Sequence, residues 1–246
     1  MITIYDYLNE TIDIINDEIV INYTINSIDK TSLDTRFGAY NKKFKPYTKK
    51  TDDKKVLIKS VYKFTKENSQ IIRKLKTTKD IESIRSFVNR TSIFLYSQYK
   101  NEHIDMIVLE QSDNLLTKEI AKELSKRMNL ENPIPMDIIY KQSPKYIKIK
   151  YDDPNITKGI IDYLEQQIKN SIRIGHFNIK TISPEFRKFI YNTHQINNFY
   201  IHKISGKNIL LIDDIITSSK TITEIADILF YYEADNLYAC SIFKKL

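Results

Sequence analysis

The chain changes texture near residue 103. Downstream of that point, short apolar runs of strand length alternate with amphipathic stretches of helical spacing. Ile104-Asp-Met-Ile-Val-Leu-Glu110 is the first apolar run. Over 115–128, Leu116, Ile120, Leu124 and Met128 recur on one helical face. Pro133 and Pro135 break that pattern, and Met136-Asp-Ile-Ile-Tyr140 predicts a second strand. Strand, helix and strand in this order form a βαβ unit, which implies parallel pairing. A second unit closes the chain. Residues 208–213 predict a strand, and 221–232 align Ile222, Ile225, Ala226 and Leu229 on a helix. Leu237–Phe243 predicts a final strand, and Thr221 and Glu224 have capping-box spacing.

The segment between the units, 141–205, is less regular. Tyr146–Tyr151 alternates and predicts an edge strand, 156–172 predicts a helix, and Ser183-Pro opens like a helix with proline at its first position. Upstream, Tyr5, Leu8, Ile12 and Ile15 predict a helix over 1–16, and the β-branched run 18–28 predicts a strand or edge ribbon. Residues 29–53 resemble irregular surface chain, and two helices are expected near 54–76 and 79–100, the second capped by Thr78 or Asp80. The fold class expected is α/β: a parallel central sheet flanked by helices over 101–246, with a helix-rich extension or hood over 1–100.

Composition narrows the class. Hydrophobic residues are 41% and charged residues 28% of the 246, which suits a globular chain. No apolar run approaches a membrane span, and Met-Ile-Thr-Ile-Tyr-Asp-Tyr has neither the basic nor the apolar part of a signal peptide. The single cysteine, Cys240, excludes an internal disulfide and falls in an expected core strand. These features predict a cytoplasmic protein with no membrane partner.

The net charge is +7, and Lys42, Lys43, Lys45, Lys49, Lys50, Lys54, Lys55 and Lys59 crowd one segment. One reading is attraction to nucleic acid through the basic N-terminal half. The other is a solvated lysine-rich surface, favoured by the absence of arginine–aromatic interleaving.

The chemistry concentrates at 209–221. Ile-Leu-Leu-Ile runs into Asp213 and Asp214, then a hydroxyl-rich turn of Thr217, Ser218, Ser219, Lys220 and Thr221 leads into a helix. A strand end of this kind is where open α/β sheets place ligands. Adjacent carboxylates can accept from ribose hydroxyls, and hydroxyls with backbone N–H groups at a helix start can hold a phosphate. The bland alternative is a generic Rossmann-like strand end, as in a magnesium-binding receiver domain or a GTPase-like fold. No GxxxxGK[ST] loop is present, and Gly38, Gly159, Gly175 and Gly206 cannot build a glycine-rich dinucleotide turn.

Other candidates carry less. His103, His176, His194 and His202 share no metal spacing and read as surface or packing residues. Tyr191, Phe199 and Tyr200 suit either a base-stacking pocket or the core. Asp152-Asp153 before Pro154 reads as turn chemistry.

The segment 209–221 resembles the phosphoribosyl pyrophosphate (PRPP) motif of type I phosphoribosyltransferases, with ILLIDD as strand and acidic pair and TSSKT as loop. Arg187, Asn192 and Gly206-Lys207 ahead of that strand are similar to the ComF-type branch. The likeness is specific over about 60 residues, loose over 104–140 and absent over 1–100.

The resemblance implies a phosphoribosyltransferase of nucleotide metabolism, transferring ribose 5-phosphate from PRPP to a nucleobase or similar amine and releasing pyrophosphate. It implies that Asp213 and Asp214 hold the ribose hydroxyls and that residues 217–221 hold the 5′-phosphate. Magnesium would enter with PRPP and contact the protein indirectly, with Asp213 and Asp214 the alternative for a direct contact. The pyrophosphate loop would match Gln111, Ser112, Asp113 and Asn114; Arg187 and Lys188 read either as basic groups closing on pyrophosphate or as a solvated helix face. A homodimer is compatible with all of this. Ser219 stands where the family pattern has glycine, so the resemblance implies ligand binding more firmly than turnover. The alternative is a non-catalytic ribose-phosphate-binding regulator or a ComF-like accessory of DNA processing. An interaction protein with a vestigial site is a third reading.

Overall fold

The computed structural model describes residues 3–5, 10–15, 18–23, 38–40, 56–64, 69–110, 114–131, 136–216 and 220–245. The stretches 29–37 and 41–55, with most of the lysine cluster, lie outside the described residues.

Among the described residues, seven strands form the central sheet. In chain order they are β4 (Gly38–Tyr40), β5 (Val56–Phe64), β6 (Met106–Glu110), β7 (Met136–Lys141), β10 (His194–Ile196), β11 (Asn208–Ile216) and β12 (Asn236–Lys245). Across the sheet the order is β10-β7-β6-β11-β12-β5-β4. The strands from β7 to β5 run parallel, while β10 and β4 are antiparallel edges. This is the α/β class expected from the sequence.

Connection directions decide where the helices sit. Helix α3 (Leu115–Arg127) links β6 to β7, moving toward the β10 edge, and α5 (Lys220–Tyr231) links β11 to β12, moving toward the β4 edge. Right-handed crossovers taken in opposite directions place their helices on opposite faces. Accordingly Leu116, Ile120 and Leu124 of α3 share one core with Leu210 and Ile212. Ile222, Ile225 and Leu229 of α5 share the other core with Ile209 and Leu211. The apolar run of β11 is thus buried on both faces, as a central parallel strand requires.

Helices α1 (Ser69–Thr77) and α2 (Ile81–Tyr99) cover the α3 face, bringing Ile72, Leu75, Phe87 and Leu95 into the same core. Asp80 caps α2 by accepting from the Glu82 N–H at 3.0 Å. A third, smaller core lies in the 144–191 segment. There α4 (Lys158–Ile174) packs Leu164 against Ile149, Phe177 and Phe189, beside the short pair β8 (Lys148–Ile149) and β9 (Ile190–Tyr191). No helix among the described residues is long and apolar enough to cross a membrane.

Several local expectations change. The described residues of 1–16 are strands and not a helix: β1 (Thr3–Tyr5) and β2 (Glu10–Ile15) join β3 (Glu18–Tyr23) in a separate antiparallel sheet. Thr11, Ile12, Ile14 and Ile15 are β-branched, and that preference outweighs the helical spacing of Tyr5, Leu8, Ile12 and Ile15. The helix expected over 54–76 is strand β5 followed by the shorter α1. Pairing with β12 settles it, since Val61 and Tyr62 are both buried between sheet and helices. The strand expected over 146–151 shrinks to Lys148–Ile149 after a 3-10 turn at Pro144–Tyr146, and the helix opening at Ser183-Pro is a 3-10 turn at Pro184–Phe189. Helix α5 begins at Lys220, so Thr221 lies inside it rather than at a cap.

Candidate functional site: an acidic crevice at the sheet's switch point

Strands β6 and β11 are adjacent and parallel, yet their onward connections leave in opposite directions. Such a switch point opens a crevice at the carboxyl ends of the two strands, the general ligand position of open α/β sheets. Glu110 ends β6. One step past the paired Ile212 and Leu109, it stands beside Asp213.

The alternation of β11 divides the acidic pair between the two faces. Ile209 and Leu211 belong to the α5-side core, and Asp213 continues that row; Leu210 and Ile212 belong to the α3-side core, and Asp214 continues theirs. The partners agree. Asp214 Oδ2 lies 2.5 Å from Lys76 Nζ at the end of α1, and it accepts from Asn114 Nδ2 at 3.0 Å. Asn114 is the N-cap residue of α3. The Asp214 N–H donates to Asp213 Oδ1 at 2.7 Å. On the other face, Asp213 is level with Ser241 of β12 and Ser60 of β5, whose hydroxyls are 2.8 Å apart.

Electrostatics follow from this crowding. Burial pushes the Asp213 carboxyl up to about 7, the charges of Asp214 and Glu110 push the same way, and the Asp214 N–H and Lys76 only partly oppose them. Glu110 moves the other way. Burial would raise it, but His194 and Lys141 hold it below the ordinary carboxylate value. His194 lies buried on β10. Burial alone would lower its pKa, yet Glu110 and Glu224 raise it to about 9.

Of the residues singled out in the sequence, Asn114, Asp213 and Asp214 come together here. Gln111, Ser112 and Asp113 lie outside the described residues, as do Thr217, Ser218 and Ser219. In the chain, the first three directly follow Glu110 and the second three directly precede α5. Lys220 and Thr221 open α5. Arg187 donates to the carbonyls of Ile182 at 2.8 Å and Lys180 at 3.3 Å, and Lys188 Nζ lies over the Phe189 ring at 4.8 Å. Asn192 donates to the Tyr146 carbonyl at 2.7 Å, and Gly206 takes φ +70° in the turn before β11.

Sequence reasoning missed Lys76, Glu224 and the role of His194. They lie on α1, α5 and β10, so only the tertiary fold brings them to the crevice. Instead of closing a capping box, the Glu224 carboxylate accepts from the Thr193 N–H, the Thr193 hydroxyl and the His194 N–H.

The carboxylates Glu110, Asp213 and Asp214 are hard oxygen donors of the kind magnesium takes. Among the described residues no cluster of three or more His, Cys, Asp or Glu is arranged to hold a metal unaided.

No family model matches the chain, and no curated protein sequence matches it. Solved structures are similar in shape. A Leishmania tarentolae HGPRT-ase in complex with GMP is 10% identical, with 66% of this chain and 67% of that chain covered at a TM-score of 0.32. A Trypanosoma cruzi hypoxanthine phosphoribosyltransferase complexed with IMP is 12% identical, with coverage of 66% and 65% and a TM-score of 0.36. A Bacillus anthracis hypoxanthine-guanine phosphoribosyltransferase is 13% identical, covering 67% and 68% at 0.32. At these scores the likeness carries no functional argument. The residues of the crevice carry the functional conclusion.

Proposed function

We propose that the chain binds a ribose 5-phosphate group across the β6–β11 crevice and acts as a phosphoribosyltransferase on PRPP. The observation that carries this reading is the pair Asp213–Asp214 at the switch point, aimed to both faces and flanked by Glu110, Asn114 and Lys76. Ribose offers two adjacent hydroxyl donors, which two adjacent carboxyls match as acceptors once Asp213 is ionised. Residues 217–221 run into the N-terminus of α5, where backbone N–H groups and the helix dipole favour a phosphate. Residues 111–114 directly follow Glu110 in the chain, and in this reading they contact pyrophosphate.

Magnesium fits as part of the ligand, with Asp213 and Asp214 the residues that would contact it; when bound, it would neutralise the departing pyrophosphate. The protein's own part is charge and position. Displacement breaks the bond from the anomeric carbon to pyrophosphate and forms one to the incoming amine, building positive charge on the ribose ring. In this reading ionised Asp213 and Asp214 stabilise that charge more than they stabilise the ground state. Arg187 and Lys188 complete the proposal as groups closing on pyrophosphate, which requires Arg187 to release the Ile182 and Lys180 carbonyls.

A second reading is favoured by one residue. Ser219 at the position where the phosphoribosyltransferase motif has glycine suits a ribose-phosphate sensor, the ComF-like accessory role included, because a side chain there restricts the backbone next to the phosphate. Pyrophosphate release from PRPP with magnesium, followed by phosphorus NMR across a panel of nucleobases, separates the two. Release with any base supports the transferase. Binding of PRPP without release across the panel supports the sensor.

A further inference from the structure

The two chain segments that join β7 and β10 to the small third core carry a charge pattern of one sign. Residues 141–150 and 186–196 hold Lys141, Lys145, Lys148, Lys150, Arg187 and Lys188, with neither Asp nor Glu among them. Lys141 faces Glu110, and Arg187 is held by two carbonyls. The other four lysines make no ion pair with a described residue. The nearest acids lie beyond these segments. Asp153 sits in the following turn, where Asn155 and, at longer range, Lys188 and Lys150 hold its carboxyl below the ordinary value.

Backbone pairing turns the lysines to one side. The Gln142 N–H donates to the Thr193 carbonyl at 2.8 Å, and Lys148 stands opposite Tyr191, so β8 and β9 prolong the β7–β10 pair as a narrow ribbon. Ile147, Ile149 and Ile190 are buried in the third core. Alternation therefore gives Tyr146, Lys148, Lys150 and Tyr191 to the outer face. Tyr146 and Tyr151 are 52% and 58% exposed. Both are held in place: Asn192 donates to the Tyr146 carbonyl at 2.7 Å, and the Tyr151 hydroxyl donates to Glu165 at 3.1 Å. Lys145 Nζ lies 4.7 Å from the centre of the Tyr146 ring.

Open aromatic rings thus alternate with unpaired ammonium groups along one acid-free face. A complementary partner carries negative charges at regular intervals with flat apolar faces between them. An acidic peptide supplies the charges without the flat faces, and a nucleic-acid duplex keeps its base faces inside the stack. A single strand supplies both.

We propose that the outer face of the β8–β9 ribbon binds single-stranded nucleic acid, with bases stacked on Tyr146 and Tyr151 and phosphates on Lys145, Lys148 and Lys150. The site shares no residue with the Asp213–Asp214 crevice and stands or falls apart from the function proposed for it.

Fluorescence anisotropy of the full-length chain with a labelled oligothymidylate of about 20 nucleotides tests this. Wild type should bind, with an affinity that falls as salt rises. Lys145→Ala combined with Lys148→Ala and Lys150→Ala should weaken binding by about ten-fold or more and reduce the salt slope by roughly 2, at about 0.7 for each lost phosphate contact. Tyr146→Ala combined with Tyr151→Ala should cost about ten-fold or more with the salt slope unchanged, and the corresponding pair of phenylalanine substitutions should stay within about three-fold of wild type. Should the double tyrosine-to-alanine variant fail to fold by circular dichroism, the lysine variant and its salt slope decide alone. Absent binding to wild type, undiminished binding in the lysine variant, a loss that phenylalanine does not restore, or a duplex bound as tightly as the single strand overturns the proposal.

Discussion

Asp213 and Asp214 are consecutive in the chain but belong to opposite faces of one sheet. Asp213 lies beside Glu110 on the α5 side, while Asp214 holds Lys76 and Asn114 on the α1–α3 side. A ligand in the crevice therefore meets a half-buried carboxyl whose pKa is raised to about 7 and a second carboxylate already paired with a cation.

The raised pKa makes ligand binding pH-dependent. A magnesium-bearing, hydroxyl-donating ligand binds ionised Asp213, so affinity for PRPP with magnesium should rise as pH increases through about 7. Calorimetry at pH 6 and pH 8 checks the direction; an affinity that falls over that interval contradicts it.

Asp213 also has a stability signature. A carboxyl raised above its ordinary value destabilises the fold increasingly from about pH 4 to about pH 7 and by a constant amount above. Asp213→Asn should therefore be more stable than wild type at pH 8, by up to about 4 kcal/mol, with little difference at pH 4. Urea unfolding at the two pH values measures the gap.

His194 has the opposite sign of shift. An imidazole raised from 6.5 to about 9 contributes stability that is complete below about pH 6.5 and is lost as pH rises through about 9. His194→Gln should cost most at pH 6, on the order of 3 kcal/mol, and the difference from wild type should narrow by about pH 10. A gap that widens with pH rules out the charged state.

Lys76 is half-buried and pulls Asp213 down. Replacing it by methionine should move the pH midpoint of PRPP binding upward and change stability by only about 1 kcal/mol. An unchanged midpoint would place Lys76 outside the site's electrostatics.

The sheet crosses position 100, which gives a prediction for fragments. Tyr62 of β5 packs its ring on Phe87 and Phe243 at 5.0 and 5.7 Å, and its hydroxyl lies 2.9 Å from that of Thr91. Tyr62→Phe should cost about 1–3 kcal/mol by leaving the Thr91 hydroxyl short of a buried partner. A fragment of 101–246 lacks β5, α1 and α2, and it should lose cooperative unfolding, as circular dichroism on heating would show.

Much of the carboxyl-terminal half was legible in the sequence. Leu116, Ile120 and Leu124 mark α3 because an exposed helix buries one stripe, and Ile209–Ile212 mark β11 because a central parallel strand buries both faces. Strand β5 was not, since the apolar positions of a helix-covered sheet lose the period of two that identifies a half-exposed strand. The acidic pair was readable because its two members and its loop are contiguous. Lys76, Glu110, His194 and Glu224 each reach the crevice from a different element, and no local pattern announces a charge network closed by tertiary contact.

The central claim is that the β6–β11 crevice holds a ribose phosphate through Asp213 and Asp214. Isothermal titration of PRPP with magnesium into wild type and into Asp213→Asn combined with Asp214→Asn tests it most directly. The account predicts saturable binding to wild type and a loss of about a hundred-fold or more in the double variant. Undetectable binding to wild type, or equal binding to both proteins, would contradict it.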